Sequence, residues 1–90
     1  MADKKTKKIK VYLAIITHRH GENVYAGGSR NELLDKLHNF VAQYWDEMMG
    51  GRQMPRSKKA AVSQYFDVAK EKITSSEFLD YAEDTIEVPA

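Results

Sequence analysis

SRNELLDKLHNFVAQYWDEMM, residues 29–49, carries apolar side chains at three- and four-residue steps: Leu33, Leu37, Phe40, Tyr44 and Met48, with Leu34, Val41 and Trp45 widening the stripe. This spacing predicts one amphipathic helix of about five turns, whose apolar side the rest of the chain must cover. Local chemistry marks both ends. Ser29 can cap free backbone N–H groups, Glu32 three residues on completes a capping box, and Gly50-Gly51 offers a left-handed stop.

Around that helix there is room for one modest core. A chain of 90 residues makes a single domain and buries roughly 60% of its unfolded surface. Its 42% hydrophobic and 30% charged residues are ordinary for a globular protein and argue against wholesale disorder. No apolar run approaches the ~20 residues of a membrane span. The basic N-terminus lacks a signal-peptide pattern, because residues 9–16 are too few and are interrupted by Lys10. The absence of cysteine excludes disulfides, thiolate metal sites and cysteine nucleophiles, and fits a cytoplasmic protein. Net charge is only +1, yet it is segregated: residues 1–30 carry seven bases and two acids, and residues 73–90 carry five acids and no base. Such blocks either meet each other in the fold or steer a charged partner.

Upstream of the helix, residues 1–8 read as a basic arm, leaving 9–88 as the domain. From Ile9 the pattern has period two, with Ile9, Val11, Leu13 and Ile15 on one side and Lys10, Tyr12, Ala14, Ile16 and His18 on the other. His20-Gly21-Glu22-Asn23 interrupts the run and Val24-Tyr25-Ala26 resumes it, which predicts a β-hairpin. With His20-Gly21 as the loop, Ile15 falls opposite Ala26 and Thr17 opposite Val24. That set is expected to face the helix. The reverse face, with Tyr12, Ile16 and Tyr25, is then expected to be open; a four-residue loop shifts the register by two and keeps the faces.

The run His18-Arg19-His20-Gly21-Glu22-Asn23-Val24-Tyr25, followed by a helix ending Tyr44-Trp45-Asp46, resembles a group of small uncharacterised proteins carried by phages, plasmids and other bacterial mobile elements. The similarity covers roughly the first half of the chain. It implies a biological context and no catalytic residue.

Downstream, residues 50–56 form a basic loop and Ser57 caps a second helix, expected antiparallel to the first, with Ala61 or Val62, Tyr65, Phe66, Ala69 and Ile73 inward. Lys58 and Lys59 in its first turn have the wrong sign for the helix dipole. Thr74-Ser75-Ser76-Glu77 reads as another capping box, so residues 75–83 are open to a short helix or an extended segment, and Thr85-Ile86-Glu87-Val88 before Pro89 alternates as an edge strand does. The fold expectation is α+β: a hairpin on a long helix, a second helix, and a final short helix or strand.

Few constellations point to chemistry. His18 and His20 with Glu22 make a conceivable metal or general-base set, but no further ligand stands at a recognised spacing, so neither metal nor cofactor is expected. Gly27-Gly28-Ser29-Arg30 resembles an anion cradle in outline, although a turn with an N-cap explains every residue. Nothing resembles a nucleophile elbow or nucleotide loop. Basic and aromatic residues interleave at Lys10, Tyr12, His18, Arg19 and Tyr25, with Arg52 and Arg56 available nearby, a composition that single-stranded nucleic acid can use. The competing reading is an uncovered apolar sheet face, Tyr12, Ala14, Ile16 and Tyr25, that another protein or a second copy covers. The sequence therefore points to a small non-enzymatic interaction protein with a protein partner or self-association; nucleic-acid binding and a His18/His20 metal enzyme are the alternatives.

Overall fold

The computed structural model describes residues 6–89 and has the element order β1 (Thr6–His18), β2 (Gly21–Gly27), α1 (Arg30–Met49), α2 (Lys58–Ala69) and β3 (Phe78–Pro89). The α+β expectation holds, with a three-stranded antiparallel sheet in the order β2-β1-β3. Of the basic arm, residues 1–5 lie outside the described residues, while Thr6, Lys7 and Lys8 pair with Pro89, Val88 and Glu87. The final segment is a twelve-residue strand, so the helical option for residues 75–83 is corrected. Pairing with β1 along its whole length supplies the backbone partners that an isolated capping box could not. This ladder also brings the basic start of the chain against its acidic end, with Lys8 opposite Glu87.

α1 is built as its local chemistry dictates. Ser29 Oγ accepts from the Glu32 N–H at 3.1 Å, the Glu32 carboxylate accepts from the Gly28 N–H at 3.2 Å, and Gly50 ends the helix at φ 62°. Leu33, Leu37, Phe40, Val41, Trp45 and Met49 are buried, whereas Tyr44 keeps 38% of its surface. Gly27 closes the approach to the helix, since a Cβ there would stand 2.9 Å from the Leu33 backbone N. Gly27→Ala is expected to cost about 1–3 kcal/mol by overpacking, read as a lowered urea midpoint. An unchanged midpoint would show that the β2–α1 junction can move apart.

Three expectations are corrected. The hairpin turn is Arg19-His20, pairing His18 with Gly21 and Ile15 with Val24, two steps from the expected register. Neither turn residue has positive φ; the positive φ that a glycine at this turn is expected to supply is found at Gly21, at 132°. Second, the covered sheet face is the opposite one. Ala14 and Ile16 are fully buried, and Tyr12, Tyr25 and Leu79 pack against the core, while Val11, Leu13, Ile15 and Val24 point away from the helices. Small Ala14 lets α1 approach the sheet, and the Tyr25 ring meets Phe40 edge-on at 6.5 Å.

Third, α2 runs in the same general direction as α1. Lys58 at its start bonds Asp35 at 2.6 Å, and Tyr65 and Phe66 further along lie 6.0 and 6.3 Å from Phe40. The connecting loop makes the reversal that was assigned to the helix. Trp45 Nε1 donates to the Arg52 carbonyl at 2.5 Å, folding the loop back along α1. Eight extended residues reach about 26 Å, enough to retrace α1 from its end to Asp35. Asp35 also answers the misplaced charge at the start of α2. α2 buries Ala61, Val62, Tyr65, Phe66 and Ala69 and stops there, leaving Ile73 98% exposed rather than inward.

Candidate interaction surface

Because directly paired residues of antiparallel strands share a face, the register fixes what the sheet presents on its far side. The middle strand contributes Ile9, Val11, Leu13 and Ile15. Val24 and Ala26 flank them on β2, and Ala82, Ile86 and Phe78 on β3. Val24 is 63%, Phe78 48% and Ile86 44% exposed. Among the described residues both helices lie on the other side, against Ala14 and Ile16, and no element covers this one. Its charged members, Lys7, Glu22, Asp80 and Asp84, stand at the ends of the face or on the edge strands. β1 and β3 continue past the end of β2 at Gly27 as a two-stranded ribbon, from Tyr12 back to Thr6, which extends the same apolar side.

The residues singled out from sequence fall into separate groups. Ile16 is in the core, and Tyr12 and Tyr25 pack against it, so these three do not form an open face. Their alternation was read correctly but assigned to the wrong side. Lys10 and Arg30 converge on Glu83: Lys10 Nζ lies 3.0 Å from Oε2 and Arg30 Nη2 donates to Oε1 at 3.2 Å. Both cations also stand over the Tyr12 ring, at 5.6 and 5.5 Å. The hydrogen bonds from Lys10 and then Arg30 hold the Glu83 carboxyl below the usual carboxylate range. Exposed pairs of this kind contribute little stability, and here each cation already has a carboxylate partner in Glu83.

A lowered native value means that the Glu83 pairing is intact above the ordinary carboxylate range and is lost as pH falls through the lowered midpoint. In an NMR titration Glu83 is expected to titrate below an ordinary glutamate, and Lys10→Met to move it upward. Coincidence with ordinary glutamates in the parent would show the contact is not kept in solution.

The glycine turn is likewise self-satisfied. The Glu32 carboxylate already accepts from Gly28, Ser29 caps α1, and Gly27 is required for packing, so Gly27, Gly28, Ser29 and Arg30 are engaged within the chain.

At the turn end, His18, Arg19 and His20 border a cleft of about 390 Å³ with Tyr44, Glu47 and Lys72. The His20 N–H donates to His18 Nδ1 at 3.2 Å, so His18 carries its proton on Nε2, 3.4 Å from the Asn23 side-chain oxygen. Arg19 Nε donates to His20 Nε2 at 3.1 Å. Three of the four imidazole nitrogens are thus used inside the turn, and among the described residues no three metal-binding side chains converge. The buried Tyr65 hydroxyl below donates to Glu77 at 2.7 Å; burial first, then that carboxylate, pushes the phenol far above its ordinary value, making it a tether and a poor acid. Arg52 gives its carbonyl to Trp45, while the side chains of Arg52 and Arg56 are exposed on the loop between the helices.

The molecule is thus a small α+β protein in which, among the described residues, helices cover one sheet face and no element covers the other. Among the described residues no helix is long and apolar enough to cross a membrane. The chain matches no protein family, no curated protein and no solved structure.

Proposed function

We propose that this is a small non-enzymatic interaction module that docks another protein chain on the apolar far side of its sheet. The supporting observation is that bare face: four β1 side chains in line, flanked by Val24 and Ile86, with charge kept to the perimeter. Ile9, Val11, Leu13 and Ile15 are half-buried between their strand neighbours, Val24, Ile86 and Phe78 are exposed beside them, and contiguous exposed apolar side chains of this kind mark interaction sites. The sequence resemblance to mobile-element proteins extends the proposal to a regulator or inhibitor of a bacterial host system, a defence complex included, acting in the cytoplasm. Nucleic-acid binding has less support, because Lys10 is paired with Glu83 and Tyr12 and Tyr25 pack against the core.

The test is a Leu13→Thr, Val24→Thr variant. Both substitutions keep strand propensity, so in solution dilute enough for the parent to be monomeric the far-ultraviolet spectrum and stability should persist while binding of a hydrophobic dye falls several-fold. Loss of the fold instead would assign these side chains to structure and overturn the reading.

A further inference from the structure

The occupant of the bare face can be specified, on the reading that the face is a docking surface. We infer that it is a second copy of this chain, stacked face to face with the two middle strands antiparallel.

Size is the first argument. Strand rise of ~3.3 Å and spacing of ~4.8 Å give the ribbon and sheet together about 500 Å² of outline per copy. Side-chain relief raises that figure, which brings two copies to about the lower end of stable interfaces, near 1,200 Å². Its middle strand is apolar through Val11, Leu13 and Ile15, and its charges stand on the edge strands or at the ends, Asp84 beside Val11 and Asp80 beside Ile15.

Charge selects the orientation. With a two-fold axis near Tyr12, Lys7 of one copy lies over Thr17 of the other, whose β2 neighbour is Glu22. Asp80 comes over Ile86 and Asp84 over Ala82, so no acid is set directly on another, and the four carboxylates alternate along the shared β3 edge. A parallel stack would set Lys7 on Lys7 and carry Glu22 over the Phe78 end, beside Asp80. Edge-to-edge association is opposed in turn. β3 carries Asp80, Glu83, Asp84 and Glu87 with no base, so pairing two β3 edges lines up like charges. On the opposite edge, Lys36 Nζ donates to the Ala26 carbonyl and occupies a backbone acceptor of β2.

The experiment is light scattering on the full chain across micromolar to near-millimolar concentration, at low and high salt, with hydrophobic-dye binding measured on the same samples. The expected result is a dimer that persists in high salt and becomes monomeric, still folded, in Leu13→Glu. Should that variant unfold, Val24→Glu at a 63% exposed position carries the same test. Lys7→Glu should weaken the dimer several-fold at low salt, and adding Glu22→Lys should restore it. A dimer indifferent to both face variants overturns the inference. So does a monomeric parent, and the dye then separates the two readings. If the monomer binds dye and Leu13→Glu loses it, the face still serves a different protein; if it binds none, the docking surface fails too.

Discussion

Phe40→Ala is expected to remove about 3–5 kcal/mol of stability, the range for truncating a buried aromatic. Phe40 is only 8% exposed and is the point at which three elements meet. Its ring lies 6.5 Å from Tyr25 on β2, 5.0 Å from Tyr44 on its own helix, and 6.0 and 6.3 Å from Tyr65 and Phe66 on α2. Removing it opens a cavity that none of these can fill without leaving another contact. A 90-residue domain has about 5–13 kcal/mol in total, so the variant loses a large fraction. With a urea slope of about 1–2 kcal/mol per molar, the midpoint should fall by about 2 M or more. Tyr44→Ala, at a 38% exposed site, should cost much less. Equal effects would show that the aromatic cluster is not organised about Phe40.

α1 was legible because its determinants are local. Ser29, Glu32 and Gly50 act within one turn of where they stand, and the apolar stripe needs no knowledge of what covers it. The second helix was legible for the same reason through Ser57, which accepts from the Ala60 N–H. Its direction was not, because that depends on a tertiary contact, the Trp45 bond to the Arg52 carbonyl, that turns the loop back along α1. The capping-box pattern at Thr74-Ser75-Ser76-Glu77 left residues 75–83 open between helix and strand, and the strand prevails because residues 78–89 pair with β1 along their whole length. Local propensity yields when every backbone group gains a ladder.

The candidate site suffered most, and for one reason. β1 is apolar on both faces, so periodicity divides its side chains into two sets without saying which is covered. A usable signal was side-chain size. One set combines Ala14 with Gly27 on the adjoining strand, which allow a helix to approach closely, whereas the apolar β1 members of the other are Ile9, Val11, Leu13 and Ile15, all bulky. Lys10, Tyr12 and Arg30 were identified as individually interesting residues, yet their meeting at Glu83, fifty-three positions from Arg30, could not be foreseen from spacing.

The same ambiguity supplies a sharp test of which face is covered, through matched substitutions at neighbouring positions. Ile16→Thr should cost about 2–4 kcal/mol, since it shortens a fully buried side chain and leaves a hydroxyl to be satisfied in an apolar site. Ile15→Thr changes the same atoms on the same strand, one residue away, but on the face no helix touches. Threonine is β-branched like isoleucine, so strand propensity cancels between the two variants and only burial differs. In dilute solution, where association contributes nothing, Ile15→Thr should stay within about 1 kcal/mol of the parent. As concentration rises the parent should gain stability and Ile15→Thr should gain less, because binding partners stabilise the folded state by mass action. The reverse order in dilute solution, with Ile15→Thr the damaging change, would place α1 on the other side of the sheet and remove the basis for the docking face.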